Sequence, residues 1–332
     1  MTTFPALQTY FFDNATWTAT GVAPNDYFTK NSFARMKIQT NSQFNGVLSV
    51  SGVPNGPTYQ FDNCVSCWVD GAFNQLIPFD YRRKTLAQTV DVRGLPLGAH
   101  LIELEETSSA NMNITAVTLD NGAPLTVTGT SVKNLIILGD SLSCCINAGV
   151  YDPTTKFEGR SLGWAMRLRR GSRFDSVKLL GKAGDFASNQ MGNGSQITAT
   201  VAKVVAAYDG SAENVFLYEL GTNDYIGGTW THTAYQTGLG NFLDALHTAL
   251  PSLRMLACTT SILSGVGANS VGSTKAQYDA ATLAAAAARS SYCTGIDLTA
   301  TVTLSMLNEG DGFIHYGNSG HAAVYTQILS VA

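Results

Sequence analysis

Charge is scarce in this 332-residue chain: Asp, Glu, Lys and Arg make up 13% of it, against roughly 25% in ordinary soluble domains. The surface must therefore be built largely from Ser, Thr, Asn, Gln and Gly, a composition that suits work outside cells or on carbohydrate. Basic clusters are scarcer still. With a net charge of −4 and a pI near 5.7, the chain lacks the grouped Lys and Arg that a phosphate backbone demands, which excludes a nucleic-acid-binding role. The short run Arg167, Arg169, Arg170 and Arg173 only spreads charge around a helix end. No stretch approaches the roughly 20 apolar residues of a membrane helix. The N-terminal MTTFPALQTYFF has no basic segment followed by an apolar one, so neither a membrane partner nor a Sec leader is expected. Cysteine is limited to six residues, and Cys64 and Cys67 form a lone CxxC with no second pair and no His cluster. That spacing excludes a tetrahedral zinc site. Buried free thiols are expected instead, with Cys144 and Cys145 at a packed helix start.

What is present falls into two halves. From about residue 8 to 130 the pattern is short alternating runs broken by turns: FARMKIQT, GVLSVSGVPNG, CVSCWVDG, QTVDVRGLPLG, HLIELEET and NITAVTLDNG. Asp70-Gly71 and Asn121-Gly122 are hairpin-turn dipeptides, because Gly accepts the positive φ of primed turns. Strands separated by turns every 8–12 residues predict a β-sandwich over residues 1–131. After residue 132 strand-like and helix-like runs alternate: VKNLIILGD, SLGWAMRLRR, SVKLLGKAG, QITATVAKVVAAY, ENVFLYELG, AYQTGLGNFLDALHTAL, RMLACTTSIL, TKAQYDAATLAAAAARSS, GIDLTA and GHAAVYTQILSV. Continuous apolar strands alternating with helices predict an α/β unit over residues 132–332, an open parallel sheet covered on both faces. Ligands of such sheets bind at the carboxyl ends of the strands.

The first of those strands ends in Gly139-Asp140-Ser141-Leu142-Ser143, which puts a serine hydroxyl where an α/β active site belongs. It is not the GxSxG elbow, since Ser143 stands in place of the last glycine. Three further segments fall at strand ends or before a helix: Gly184 in LLGKAGDFASN, Gly221-Thr222-Asn223-Asp224, and Asp311-Gly312-Phe313-Ile314-His315. In their order and spacing the four segments resemble the blocks of the SGNH, or GDSL, hydrolases.

That resemblance implies a three-layer, flavodoxin-like catalytic domain and a serine ester hydrolase. Ser141 is its nucleophile, His315 its general base, and the N–H groups of Ser141 and Gly184 with the Asn223 amide its oxyanion hole. The chemistry requires these types. A serine hydroxyl is a poor nucleophile until a base takes its proton, and a histidine, with an ordinary pKa near 6.5, does so near neutrality. Preorganised donors to the developing oxyanion are worth roughly 3–4 kcal/mol each.

The same resemblance sorts the neighbours. The family's triad Asp usually stands three residues before the His, where this chain has Gly312; the acidic residue, Asp311, stands four before. Either Asp311 orients His315 through a one-residue bulge, or a backbone carbonyl does so, as in carbohydrate esterases that work as dyads. Loss of a carboxylate at this place lowers the rate without abolishing the reaction. His321 is expected to be structural, as are His100, His232 and His247, and Asp140 and Asp224 to hold loops by bonding nearby backbone.

A β-sandwich placed before such a domain, with FARMKIQT, WVDG and GLPLGAHLIELEET, is similar to the jelly-roll domain of family 2 carbohydrate esterases. Together these features point to removal of short acyl groups, acetyl foremost, from a carbohydrate or polysaccharide, with no cofactor. Trp230 and Tyr225 are the candidate substrate contacts. Two other readings stay open: a lipase or general esterase for longer acyl chains, and a carbohydrate-binding tail or adhesin module with a weakened hydrolase domain. Residues 184–196 and 227–236 carry no long apolar lid, being polar and Gly-rich enough to shape an open groove.

Overall fold

The computed structural model describes residues 2–5, 17–19, 27–29, 35–40, 42–54, 64–79, 86–106, 112–120, 133–143, 163–170, 174, 176–181, 184–228, 230–260, 267–307 and 314–332. The chain splits into two compact units, Met1–Thr130 with Tyr151–Ser161 and Ser131–Val150 with Leu162–Ala332.

The first unit is antiparallel throughout its described residues. Strands β1 (Thr2–Pro5), β2 (Trp17–Ala19), β3 (Tyr27–Thr29), β5 (Leu48–Pro54), β8 (Gln88–Val92) and β10 (Met112–Leu119) form one sheet in the order β2-β3-β10-β5-β8, with β1 also on β10. Strands β4 (Arg35–Gln39), β6 (Cys64–Val69), β7 (Ala72–Pro78) and β9 (Leu101–Glu106) form the other, in the order β4-β9-β6-β7. Successive strand residues face opposite ways, so alternate residues reach the core. Leu48 and Val50, Val65, Cys67 and Val69, Ile102 and Leu104, and Val117 and Leu119 make one buried cluster drawn from both sheets, as a sandwich requires. The Asp70-Gly71 turn has both residues at positive φ, 49° and 79°, the primed geometry that suits a two-residue hairpin between β6 and β7. The Cys67 thiol lies in that core, where burial pushes it up to about 12 and keeps it inert.

The second unit is a five-stranded parallel sheet of β11 (Lys133–Gly139), β12 (Ser176–Leu179), β13 (Glu213–Glu219), β14 (Arg254–Cys258) and β15 (Cys293–Ile296), in the order β12-β11-β13-β14-β15. Asn134 to Gly139 and Asn214 to Glu219 are buried without interruption, as expected of parallel strands covered on both faces. Seven helices flank them among the described residues: α1 (Trp164–Arg170), α2 (Ala187–Met191), α3 (Gly194–Ala207), α4 (Thr222–Gly227), α5 (His232–Ala249), α6 (Lys275–Ala287) and α7 (Asn318–Leu329). Their starts are encoded locally. The side chains of Asn193, Thr231 and Thr274 each accept a bond from a backbone N–H three residues on, and Thr274 with Gln277 forms a capping box. α5 stops just before Pro251, which cannot continue a helix. Among the described residues no helix is long and apolar enough to cross a membrane.

The chain passes from β11 to β12 on one side and then returns to β13 on the other. This reversal makes a crevice at the carboxyl ends of β11, β12 and β13.

Candidate active site

Ser141 follows β11 by two residues and is 8% exposed. Its segment is packed so closely that a side chain on Gly139 would lie 1.9 Å from Ser143 Oγ, so only glycine fits there. Asp140 folds back on its own turn, with Oδ1 accepting from the Leu142 N–H at 3.0 Å. Its carboxyl is fully buried and held well above the usual range, first by that burial and then by the carboxylates of Glu219, Asp224 and Asp185.

Gly184 lies in the loop after β12, five residues beyond the strand's end rather than at it, and has φ +80°. A Cβ there would meet no protein atom within 4 Å, so the demand for glycine is one of backbone conformation. The loop is fixed from the next block: Asp224 accepts from the N–H groups of Ala187 at 2.5 Å and Ser188 at 3.0 Å, the first turn of α2. A carboxylate suits that helix end, where N–H groups are unpaired.

Asn223 is the second residue of α4, four residues beyond the end of β13. Its amide donates to the Asp185 carbonyl at 2.8 Å and to Asp140 Oδ2 at 3.3 Å. It therefore ties the residue after Gly184 to the residue before Ser141, and the three blocks become one bonded unit.

The fourth block joins through a residue that sequence reasoning missed. Glu219, at the end of β13, is fully buried; one carboxylate oxygen accepts from Ser143 Oγ at 2.5 Å and the other from the Tyr316 hydroxyl at 2.9 Å. Tyr316 is the neighbour of His315. Its segment is pinned besides by a β-bridge to Leu307 and by the Gly317 N–H donating to the Met306 carbonyl at 2.7 Å. The structural signal in the sequence was a Glu at the end of an otherwise apolar strand.

His321 is buried, accepts at Nδ1 from the Trp164 N–H at 3.4 Å, and meets the Tyr316 ring edge-on, a structural role as expected. His247 stacks on Tyr292 with ring centroids 3.9 Å apart, His232 bonds Ser273, and His100 pairs with Asp70. Asp140 and Asp224 both hold backbone. Asp311, Cys144, Cys145 and the Asn121-Gly122 turn lie outside the described residues.

Tyr225 does not fit the part of a substrate contact. Its ring is buried against Tyr278 and its hydroxyl donates to the Gly267 carbonyl, so it has no face to offer. Trp230 is different. It forms a wall of an open cleft of about 700 Å³ together with Met191, Asn193, Thr237 and Asn241, and among the described residues no charged one lines that cleft. The two Gly-rich, polar segments thus do shape a groove, although the first takes in all of α2 and the start of α3 and the second the start of α5.

Residues 137–323, more than half of the chain, match the GDSL-like lipase/acylhydrolase family. The chain belongs to that family. The match takes in all four blocks of this GDSL-like acylhydrolase. No curated protein sequence matches it significantly. Among solved structures, a family two carbohydrate esterase from Cellvibrio japonicus superposes with a TM-score of 0.72 at 14% identity, covering 99% of this chain and 96% of the other. One from Clostridium thermocellum, solved in complex with cellohexaose, gives 0.68 at 15% identity, covering 99% and 97%. A salicylyl-acyltransferase, SsfX3, from a tetracycline biosynthetic pathway gives 0.70 at 17% identity, covering 90% and 82%. These likenesses establish the fold: an SGNH-type hydrolase unit with its parallel five-stranded sheet, preceded by a β domain.

Proposed function

We propose that this acylhydrolase is a serine esterase that removes short acyl groups, acetyl foremost, from a neutral carbohydrate. The observation that carries the reading is the bonded web at the crevice. Asn223 joins the Gly184 and Ser141 segments, and Glu219 joins the Ser141 and His315 segments. Four stretches far apart in sequence are thereby bonded together, which supports reading them as nucleophile, base and amide donors.

In the proposed reaction His315 takes the proton of Ser141 Oγ as that oxygen attacks the ester carbonyl. The charge that develops on the carbonyl oxygen is met by the N–H groups of Ser141 and Gly184 and by the Asn223 amide. Of the two bonds that amide makes, the 3.3 Å contact to Asp140 is the weaker, and the oxyanion competes for that hydrogen while the 2.8 Å bond to Asp185 keeps the amide in place. Collapse expels the alcohol, which takes the proton from His315, and leaves an acyl-enzyme. Water, deprotonated by His315, releases the acid. Asp311 is assigned to orient His315, and Asp311→Ala tests it: unchanged turnover hands that role to a backbone carbonyl.

The carbohydrate part of the reading is supported by the cleft beside Trp230, whose amides, hydroxyls and indole match a neutral sugar's hydroxyls and apolar faces. It is supported too by the low charge of the chain. The first experiment is hydrolysis of p-nitrophenyl acetate, butyrate and octanoate by wild type and Ser141→Ala. Acetate preference with no activity in the variant is expected. Activity surviving in the variant overturns Ser141 as nucleophile, and octanoate preference moves the reading to a long-chain esterase.

A further inference from the structure

The Glu219 carboxylate bonds both to the nucleophile segment and to the base segment. Ser143 stands two residues after Ser141, and Tyr316 one residue after His315. A buried carboxyl group is expensive to ionise, and a hydrophobic or amide side chain would fill this place at lower cost, so mere packing does not account for it.

We infer that Glu219 is a positioning residue for ester hydrolysis: it holds the Ser141 and His315 segments at working distance by accepting one hydroxyl hydrogen from each. The inference rests on the proposed pairing of Ser141 with His315. Its physical logic lies in what the two hydroxyls require. Ionised, the carboxylate has acceptor sites for both Ser143 and Tyr316 at once. Protonated, it donates from one oxygen, so one of the two hydroxyls must accept that hydrogen and send its own elsewhere, and both contacts fall from charge-assisted to neutral strength. The Tyr316 hydroxyl is fully buried, so the loss falls on the geometry of a closed site.

The surroundings bring this change within the working pH range. Burial pushes Glu219 up to about 7, against the opposing bonds from Ser143 and Tyr316. Among the described residues, three titratable groups face it from other elements: Asp140 from the end of β11, Cys258 from the end of β14, and the Tyr316 hydroxyl from the segment before α7. Burial first, and the Glu219 charge after it, hold the Cys258 thiol and Tyr316 hydroxyl protonated, so neither supplies a competing anion.

The test is Glu219→Gln assayed on p-nitrophenyl acetate from pH 5.5 to 8.5, beside Ser141→Ala. At pH 8 the expected result is a kcat lower by on the order of 100-fold, the scale set by misplacing reacting groups by about 1 Å, with KM within about threefold. The ratio of wild-type to variant kcat should then shrink as pH falls through about 7, because the protonated wild type keeps only neutral bonds to the two hydroxyls, as the amide does. A role in packing alone predicts a ratio that does not change with pH; that result, or a kcat within twofold of wild type at pH 8, overturns the inference. If the variant does not fold, Ser143→Ala, Tyr316→Phe and their double variant decide the matter. A bridge broken at either arm predicts a double variant no slower than the slower single, whereas losses that multiply overturn the bridge. A dead Ser141→Ala with an indifferent Glu219→Gln rejects this inference alone. An active Ser141→Ala rejects the assignment beneath it.

Discussion

Replacing Asp224 with Ala should destabilise the second unit by about 4 kcal/mol. The carboxylate is fully buried and accepts from two backbone N–H groups at the start of α2, those of Ala187 at 2.5 Å and Ser188 at 3.0 Å. Hydrogen bonds to a charged acceptor contribute about 1.5–3 kcal/mol each, so two give roughly 3–6, and water entering the vacated space recovers part of it. For a unit of about 200 residues, each kcal/mol lowers Tm by roughly 2–4 °C, so a fall of about 8–16 °C is expected. Differential scanning calorimetry is the suitable assay, because two units can melt separately and only one transition should move. Asp224→Asn keeps one acceptor oxygen and should lose about half as much. The loop that carries Gly184 ends at these two amides, so kcat on p-nitrophenyl acetate should fall in the same order, alanine below asparagine. An alanine variant whose transition moves by less than about 2 °C would refute the reasoning that these bonds fix the loop.

Three more expectations concern the site and the cleft. On the proposed mechanism, Asn223→Ala should lower kcat by roughly 10²–10³, the cost of losing one oxyanion donor, with little change in KM, as steady-state kinetics would record. Glu219→Gln should gain stability relative to wild type as pH rises. The wild-type carboxyl is protonated when folded up to about 7 but only to about 4.5 when unfolded, so its contribution is complete below 4.5 and is lost by pH 7; the swing is about 3 kcal/mol, measurable by urea unfolding at pH 4.5 and 7.5. Thr237→Arg places charge at an exposed position of the Trp230 cleft. It should reduce deacetylation of a polymeric substrate severalfold while p-nitrophenyl acetate turnover stays within twofold; equal losses on both would remove the cleft from substrate binding.

The parallel sheet was legible because its strands are buried on both faces and read as unbroken apolar runs, Leu135 to Leu138 and Val215 to Tyr218 being the plainest. β7 was not legible, since Asn74, Gln75 and Pro78 interrupt any alternation, and β1 to β3 are too short to show a period. The short helices α2 and α4 escaped for a different reason. They are held by tertiary bonds, from Asp224 in one case and through Asn223 in the other, rather than by a periodic apolar face. Ser141, Gly184, Asn223 and His315 could be picked out by their order along the chain, but Glu219 could not. Its meaning depends on Ser143 and Tyr316, 76 and 97 residues away in sequence. Tyr225 misled because proximity to a motif says nothing about which way a ring packs; the fold turned it inward onto Tyr278.

The base segment, finally, is attached differently from the rest of the site. Ser141, Gly184 and Asn223 come on segments that follow β11, β12 and β13 within five residues, whereas His315 comes on a late stretch outside the sheet, its segment moored at Leu307, Met306 and Glu219. Changes confined to the last twenty residues can therefore alter how His315 is presented while the parallel sheet, the Asn223 bonds and the Trp230 cleft stay as they are.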